Sequence, residues 1–142
     1  MSRIILTKGV KEYRQTINQV VSRQDIVLEI GCAWGTTSNL LYHRAGDLVA
    51  IDKGASLPSA RESYPHIHFE QFDGFDIARV KGLNLPFSKV YIDISGCRDL
   101  VDVMKIIRIY EIVFSPEIIV VKSSKLKAFV DKCSVWQRDL KI

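Results

Sequence analysis

Short apolar runs that end on a glycine or a charged residue recur along this chain, and they leave it few ways to fold. Residues 26–30 (Ile-Val-Leu-Glu-Ile) stop at Gly31, residues 48–51 (Leu-Val-Ala-Ile) at Asp52, and residues 118–121 (Ile-Ile-Val-Val) at Lys122. Residues 90–94 (Val-Tyr-Ile-Asp-Ile) carry Asp93 near their end, and residues 67–72 close on Phe72-Asp-Gly74. Each run is too short for a helix and most are rich in β-branched residues, which predicts five buried strands. Strands that are apolar on both sides pair in parallel, and parallel neighbours need crossover connections that cover the sheet. The expected fold is α/β, doubly wound and mostly parallel.

The segments between the runs fit that expectation. Residues 9–22 place Val10, Tyr13, Ile17, Val20 and Val21 on one face at helical spacing, so a helix precedes the first strand. Further helices are predicted over residues 36–43, 58–64, 99–114 and 126–133, with Pro116 stopping the long one, while residues 75–80 read as a brief connection. The 142 residues form one expected domain: an N-terminal helix over 1–24, a core over 25–122 and a basic C-terminal segment over 123–142.

The opening residues hold too short an apolar run for a signal peptide, and no stretch approaches a membrane span, which predicts a soluble cytoplasmic protein. Cys32, Cys97 and Cys133 lack paired spacing and read as reduced, mostly buried thiols. His43, His66 and His68 show no ligand spacing, and no metal is expected. Net charge is +4 but uneven: five Lys/Arg against one acid in residues 1–24, and six against two in residues 122–142. Basic ends around an acidic middle suit a polyanionic partner such as RNA, or are solvated surface.

In a doubly wound sheet, ligands bind beyond the carboxyl ends of the strands. Here those ends are Gly31, Asp52, Asp73, Asp93 and Lys122. The first strand runs into Glu29-Ile-Gly-Cys-Ala-Trp-Gly35 and then a helix, a turn that brings backbone close to a nucleotide-type ligand. Glu29 lies two residues before the first glycine, and Asp52 ends the next strand. A carboxylate beside the turn repels a pyrophosphate and welcomes a cation. This disfavours a nicotinamide-dependent oxidoreductase and favours a ligand carrying an ammonium and a sulfonium.

The loop resembles the first motif of the class I, Rossmann-like S-adenosylmethionine-dependent methyltransferases: an acid, a hydrophobic residue, then Gly-x-Gly/Ala-x-Gly, with Ala33 in the place of the middle glycine. The resemblance spans residues 26–122. It implies that S-adenosyl-L-methionine is held by the loop residues Glu29, Gly31, Cys32, Ala33 and Gly35. Asp52 would bond its ribose hydroxyls, Asp73 its adenine amino group, and Asp93 would lie by the methyl group. Trp34 is expected to pack on the following helix.

Asp93 and Lys122 should sit side by side at the ends of adjacent strands. That pair resembles part of the Lys-Asp-Lys-Glu set of the FtsJ-like RNA 2′-O-ribose methyltransferases, which also have a lysine on the helix before the first strand, here Lys11 or Lys8. The resemblance implies a lysine base oriented by an acid, and a ribose 2′-hydroxyl as acceptor. The family's last acid comes from a later strand. Only about 20 residues follow Lys122, so the sheet is expected to be C-terminally shortened, with residues 134–142 supplying at most one edge strand. Such an edge invites a homodimer or a partner subunit. The alternative to an enzyme is a catalytically reduced S-adenosylmethionine-binding module.

Overall fold

A computed structural model describes residues 1–94, 96 and 98–139. Ser95, Cys97 and residues 140–142, on which part of the fourth-strand end, one thiol and part of the C-terminal expectation fall, lie outside the described residues. The elements run β1 (Arg3–Thr7), α1 (Val10–Gln15), α2 (Ile17–Val20), β2 (Ile26–Ile30), α3 (Thr36–Tyr42), β3 (Asp47–Asp52) and α4 (Leu57–Ser63). They continue with β4 (His68–Gln71), α5 (Ile77–Gly82), β5 (Lys89–Ile92), α6 (Leu100–Phe114), β6 (Ile118–Lys122) and α7 (Ser124–Asp131). The six strands form one sheet in the order β1-β6-β5-β2-β3-β4, and every pairing is parallel. The chain winds outward from β2 through β3 to β4, then returns to β5 and winds the other way to β6. Strand order therefore reverses between β2 and β5.

Alternate residues of the strands feed two cores, one on each face. Val27, Ala50, Tyr91 and Val120 pack under Tyr13, Ile17 and Leu41 from α1–α3. Leu28, Val49, Val90 and Ile119 pack under Val103, Ile106 and Tyr110 from α6. Asp99 caps α6 by accepting from the Asp102 N–H, and Ser115 ends it in a left-handed conformation just before Pro116. Ser123 caps α7 by accepting from the Leu126 N–H at 3.1 Å. At the amino ends of the strands the Lys89 ammonium is buried with its charge matched, donating to Asp25 at 2.7 Å and to Glu117 at 3.2 Å. A charge so buried is tolerated because it is paired.

Four expectations need correction. Residues 3–7 form a sixth strand that the five-strand reading missed; β1 lies at the sheet edge, half exposed, with Ile4↔Ile119 and Thr7↔Lys122 in register with β6. The predicted helix over 9–22 breaks at Thr16, whose hydroxyl donates to the Tyr13 carbonyl and accepts from the Tyr91 hydroxyl. Residues 75–80 open a helix, α5, capped by Asp76. No strand forms over residues 134–139, so the edge beside β6 is covered from the N-terminus instead. Of the thiols, Cys32 is buried but Cys133 is exposed. Among the described residues, no helix is long and apolar enough to cross a membrane.

Candidate active site

The reversal of strand order opens a cleft of about 340 Å³ beyond the carboxyl ends of the strands, within the range of small-ligand sites. Its walls include Gly31 and Ala33 after β2, Asp52 and Lys53 after β3, Asp73, Gly74 and Phe75 after β4, Asp93 after β5 and Lys122 on β6. The turn after β2 depends on Gly31. Its φ is +86°, and a Cβ there would stand 1.9 Å from the carbonyl oxygen of Asp93. β2 and β5 thus close on each other at the switch point only because residue 31 has no side chain. Ala33 (φ +46°) and Gly35 (φ +88°) are also left-handed, so the chain reverses sharply before α3 begins at Thr36.

Asp52 ties this turn to the next strand, accepting from the Ala33 N–H and the Gly54 N–H at 2.7 Å each. Asp73 accepts from the Phe75 N–H at 3.0 Å and pairs with the Arg98 guanidinium at 3.0 Å, which also lies over the Phe75 ring. The Tyr110 hydroxyl donates to the Gly74 carbonyl at 2.7 Å and fixes the base of that loop. Lys122 donates to Asp93 Oδ1 at 3.1 Å, the neighbours that adjacent parallel strands β5 and β6 require. Burial raises the Asp93 carboxyl above its ordinary range, although Lys122 pulls it back down.

Glu29 is 1% exposed and points away from the cleft lining, accepting from the Ser38 hydroxyl on α3. Burial pushes its carboxyl up to about 7; the Ser38 bond lowers it, the carboxylates of Asp93 and Asp52 raise it, and Arg14 lowers it. Burial likewise pushes the Cys32 thiol well up, so it is inert as a nucleophile at neutral pH.

Of the residues singled out for the cofactor, Gly31, Ala33, Asp52, Asp73 and Asp93 line the cleft; Glu29, Cys32 and Gly35 lie behind it in the turn. Lys122 joins Asp93, but Lys11 does not. It is exposed on α1, in a separate groove against α3, because the break at Thr16 and the burial of Tyr13 set the face of that helix. Lys8 is also exposed, its N–H donating to Glu12. Trp34 is 63% exposed instead of packed on α3.

Three further groups that bear on the site were missed. Arg14, whose Nε donates to Thr37 Oγ1 at 3.0 Å, is the cation of α1 whose charge reaches Glu29 and Asp93. Arg98 closes the Asp73 end. Tyr13 is 1% exposed, and its buried hydroxyl has no hydrogen-bond partner among the described residues. The charges of Glu29 and Asp93 act on it. Helical spacing marked Tyr13 only as a core residue, and Arg14, one position on, gave no signal of its own.

No family model matches the chain, and no curated protein matches its sequence. Solved structures match its fold. A Streptococcus mutans protein described as a methyltransferase, in complex with SAH, is 14% identical over 90% of this chain and 84% of its own, with a TM-score of 0.63. An rRNA methylase from Streptococcus thermophilus is 10% identical over 90% of this chain and 81% of its own, with a TM-score of 0.59. A dimethyladenosine transferase from Plasmodium falciparum is 19% identical over 82% of this chain but only 42% of its own, with a TM-score of 0.60. The chain spans less than half the length of several other matched proteins. The fold is the Rossmann-like fold of the class I methyltransferases.

Proposed function

We propose that the cleft binds S-adenosylmethionine and that the protein transfers its methyl group to an acceptor, RNA being the acceptor class that the charge distribution favours. The observation that carries the reading is the donor set: Asp52, Asp73 and Asp93 ring a cleft entered over Gly31, with Glu29 buried behind the turn. Arg98 and Lys122 are already paired with Asp73 and Asp93, so the strand-end carboxylates suit a ligand that donates from hydroxyl and amino groups and carries positive charge. Binding of SAH by the Streptococcus mutans protein, on the same fold, supports the same cofactor.

Asp52 would accept from the ribose hydroxyls, since each of its oxygens keeps a lone pair beyond the bond it already makes. Asp73 would take the adenine amino group in competition with Arg98. Asp93 would lie by the reacting methyl, and the buried Glu29 would add negative potential behind it. The cofactor supplies a methyl carbon made electrophilic by a positively charged sulfur. Methyl transfer is then chiefly positioning. With an acceptor hydroxyl beside that group, Asp93, whose basicity burial raises, would take the hydroxyl proton. Lys122 holds that carboxylate in place from 3.1 Å. This exchanges the roles that the family resemblance implies for acid and lysine.

The FtsJ-like set is only half assembled: Asp93 and Lys122 meet, Lys11 lies elsewhere, and Arg14 is the cation of the preceding helix whose charge acts on Asp93. That observation favours a second reading, a cofactor-binding subunit whose partner completes the site. Calorimetric titration with S-adenosylhomocysteine tests the first part: micromolar binding is expected, and Asp52→Ala should abolish it. No heat from the wild-type protein sinks the proposal. Methyl transfer to an RNA pool, lost in Asp93→Asn, separates the enzyme from the subunit.

A further inference from the structure

The groove that receives Lys11 has a character of its own. It lies between α1–α2 and α3, holds about 670 Å³, and is lined by Val10, Lys11, Arg14, Gln15, Ile17, Asn18, Leu40, His43 and Arg44, with no carboxylate among them. The one acid of α1, Glu12, is turned away and occupied by the Lys8 N–H and the Lys127 ammonium. The groove is rigidly built. Arg14 donates to Thr37 across it, and Arg44 donates to the carbonyls of Asn18 and Val21 at 2.8 and 2.9 Å, fixing its guanidinium to the far wall. Polar amides and exposed apolar side chains alternate with the cations: Val10 is 40% and Leu40 44% exposed.

Two features give the groove a direction. Arg14 reaches Thr37 in the first turn of α3, directly after the loop whose Gly31 and Ala33 wall the cleft, so the inner end of the groove lies by that loop. The exposed Trp34 stands in the loop that opens α3, between the cleft residue Ala33 and that helix. A cationic track with an unburied indole near its end is the composition that holds a flexible polyanion with unstacked bases.

We propose that this groove carries the backbone of single-stranded RNA into the site, with Lys11 and Arg44 on phosphates, Arg14 at the inner end and Trp34 stacking a base. The proposal takes its direction from the methyltransferase reading above but has its own readout. Binding of fluorescein-labelled oligouridylate is followed by anisotropy across a salt series for the wild type, Lys11→Gln, Arg44→Gln and Trp34→Ala. Lys105→Gln, on α6 of the opposite face, is the control. Each groove lysine or arginine removed should weaken binding several-fold and lower the slope of log K against log salt by about 0.7, the value for one phosphate contact on a single strand. Trp34→Ala should weaken binding with the slope unchanged. Among the described residues Lys11 makes no side-chain hydrogen bond or ion pair and it is exposed, so its variant reads the groove even if Arg44→Gln unfolds.

S-adenosylhomocysteine binding is measured alongside. RNA binding lost in Lys11→Gln with cofactor binding intact supports the groove. RNA binding unaffected by Lys11→Gln overturns it, as does polyglutamate binding at least as tightly as RNA with the same variant sensitivity, which would assign the groove to an acidic protein. Groove-dependent RNA binding in a protein that takes no S-adenosylhomocysteine supports the groove while refuting the cofactor reading.

Discussion

Glu29→Gln isolates the most unusual charge in the molecule. The carboxyl is 1% exposed and raised from 4.5 to about 7, chiefly by burial. Below the unfolded value both states hold the proton and Glu29 has no effect on the pH dependence. Between 4.5 and about 7 the unfolded chain ionises while the folded one does not, so stability falls as pH rises. Above about 7 the fold carries a buried carboxylate, and roughly 3 kcal/mol has been lost. Glutamine accepts from Ser38 as the neutral acid does, but never ionises. Urea unfolding of both proteins from pH 4 to pH 8 should therefore give nearly equal stabilities at the acid end and a variant more stable by up to about 3 kcal/mol at the alkaline end. The difference between them removes the histidines and surface carboxylates, which are common to both. A difference that stays constant across the range would refute the account of Glu29.

Gly31→Ala forces a Cβ to within 1.9 Å of the Asp93 carbonyl at a φ of +86°, so it should cost roughly 3 kcal/mol or more and lower the thermal midpoint sharply. Tyr13→Phe removes a buried hydroxyl that has no partner, and differential scanning calorimetry of the unliganded protein should show a gain of about 1 kcal/mol. Because the ammonium of S-adenosylhomocysteine favours the ionised Glu29, its affinity should rise with pH through about 7 in the wild type and be flat there in Glu29→Gln, read by calorimetry.

The strand-end residues were legible because strands buried on both faces are apolar without interruption, so Gly31, Asp52, Asp93 and Lys122 stand out as breaks in pattern. Parallel pairing then places them at one end of the sheet with no further information. β1 escaped notice because its apolar run is only Ile4-Ile-Leu6, between Arg3 and Thr7, in an edge strand exposed at its start. It fills the edge beside β6 from the N-terminal side of the chain. α5 was signalled by Asp76 ahead of Ile-Ala-Arg-Val, a cap the brief-connection reading overlooked. The position of Lys11 was not legible. Sequence spacing puts it on the helix before β2, but the rotation of that helix is decided by Tyr13 packing edge-on against Tyr91 at 5.3 Å.

The central claim is that the cleft over Gly31 takes S-adenosylmethionine, and the most direct measurement is a backbone amide NMR titration with S-adenosylhomocysteine. The account predicts saturable shifts at Gly31, Ala33, Lys53 and Gly74, which line the cleft, and none at Gly46 and Asp47, at the opposite ends of the strands. Unmoved cleft amides, or a larger response of the same amides to NAD, would contradict it.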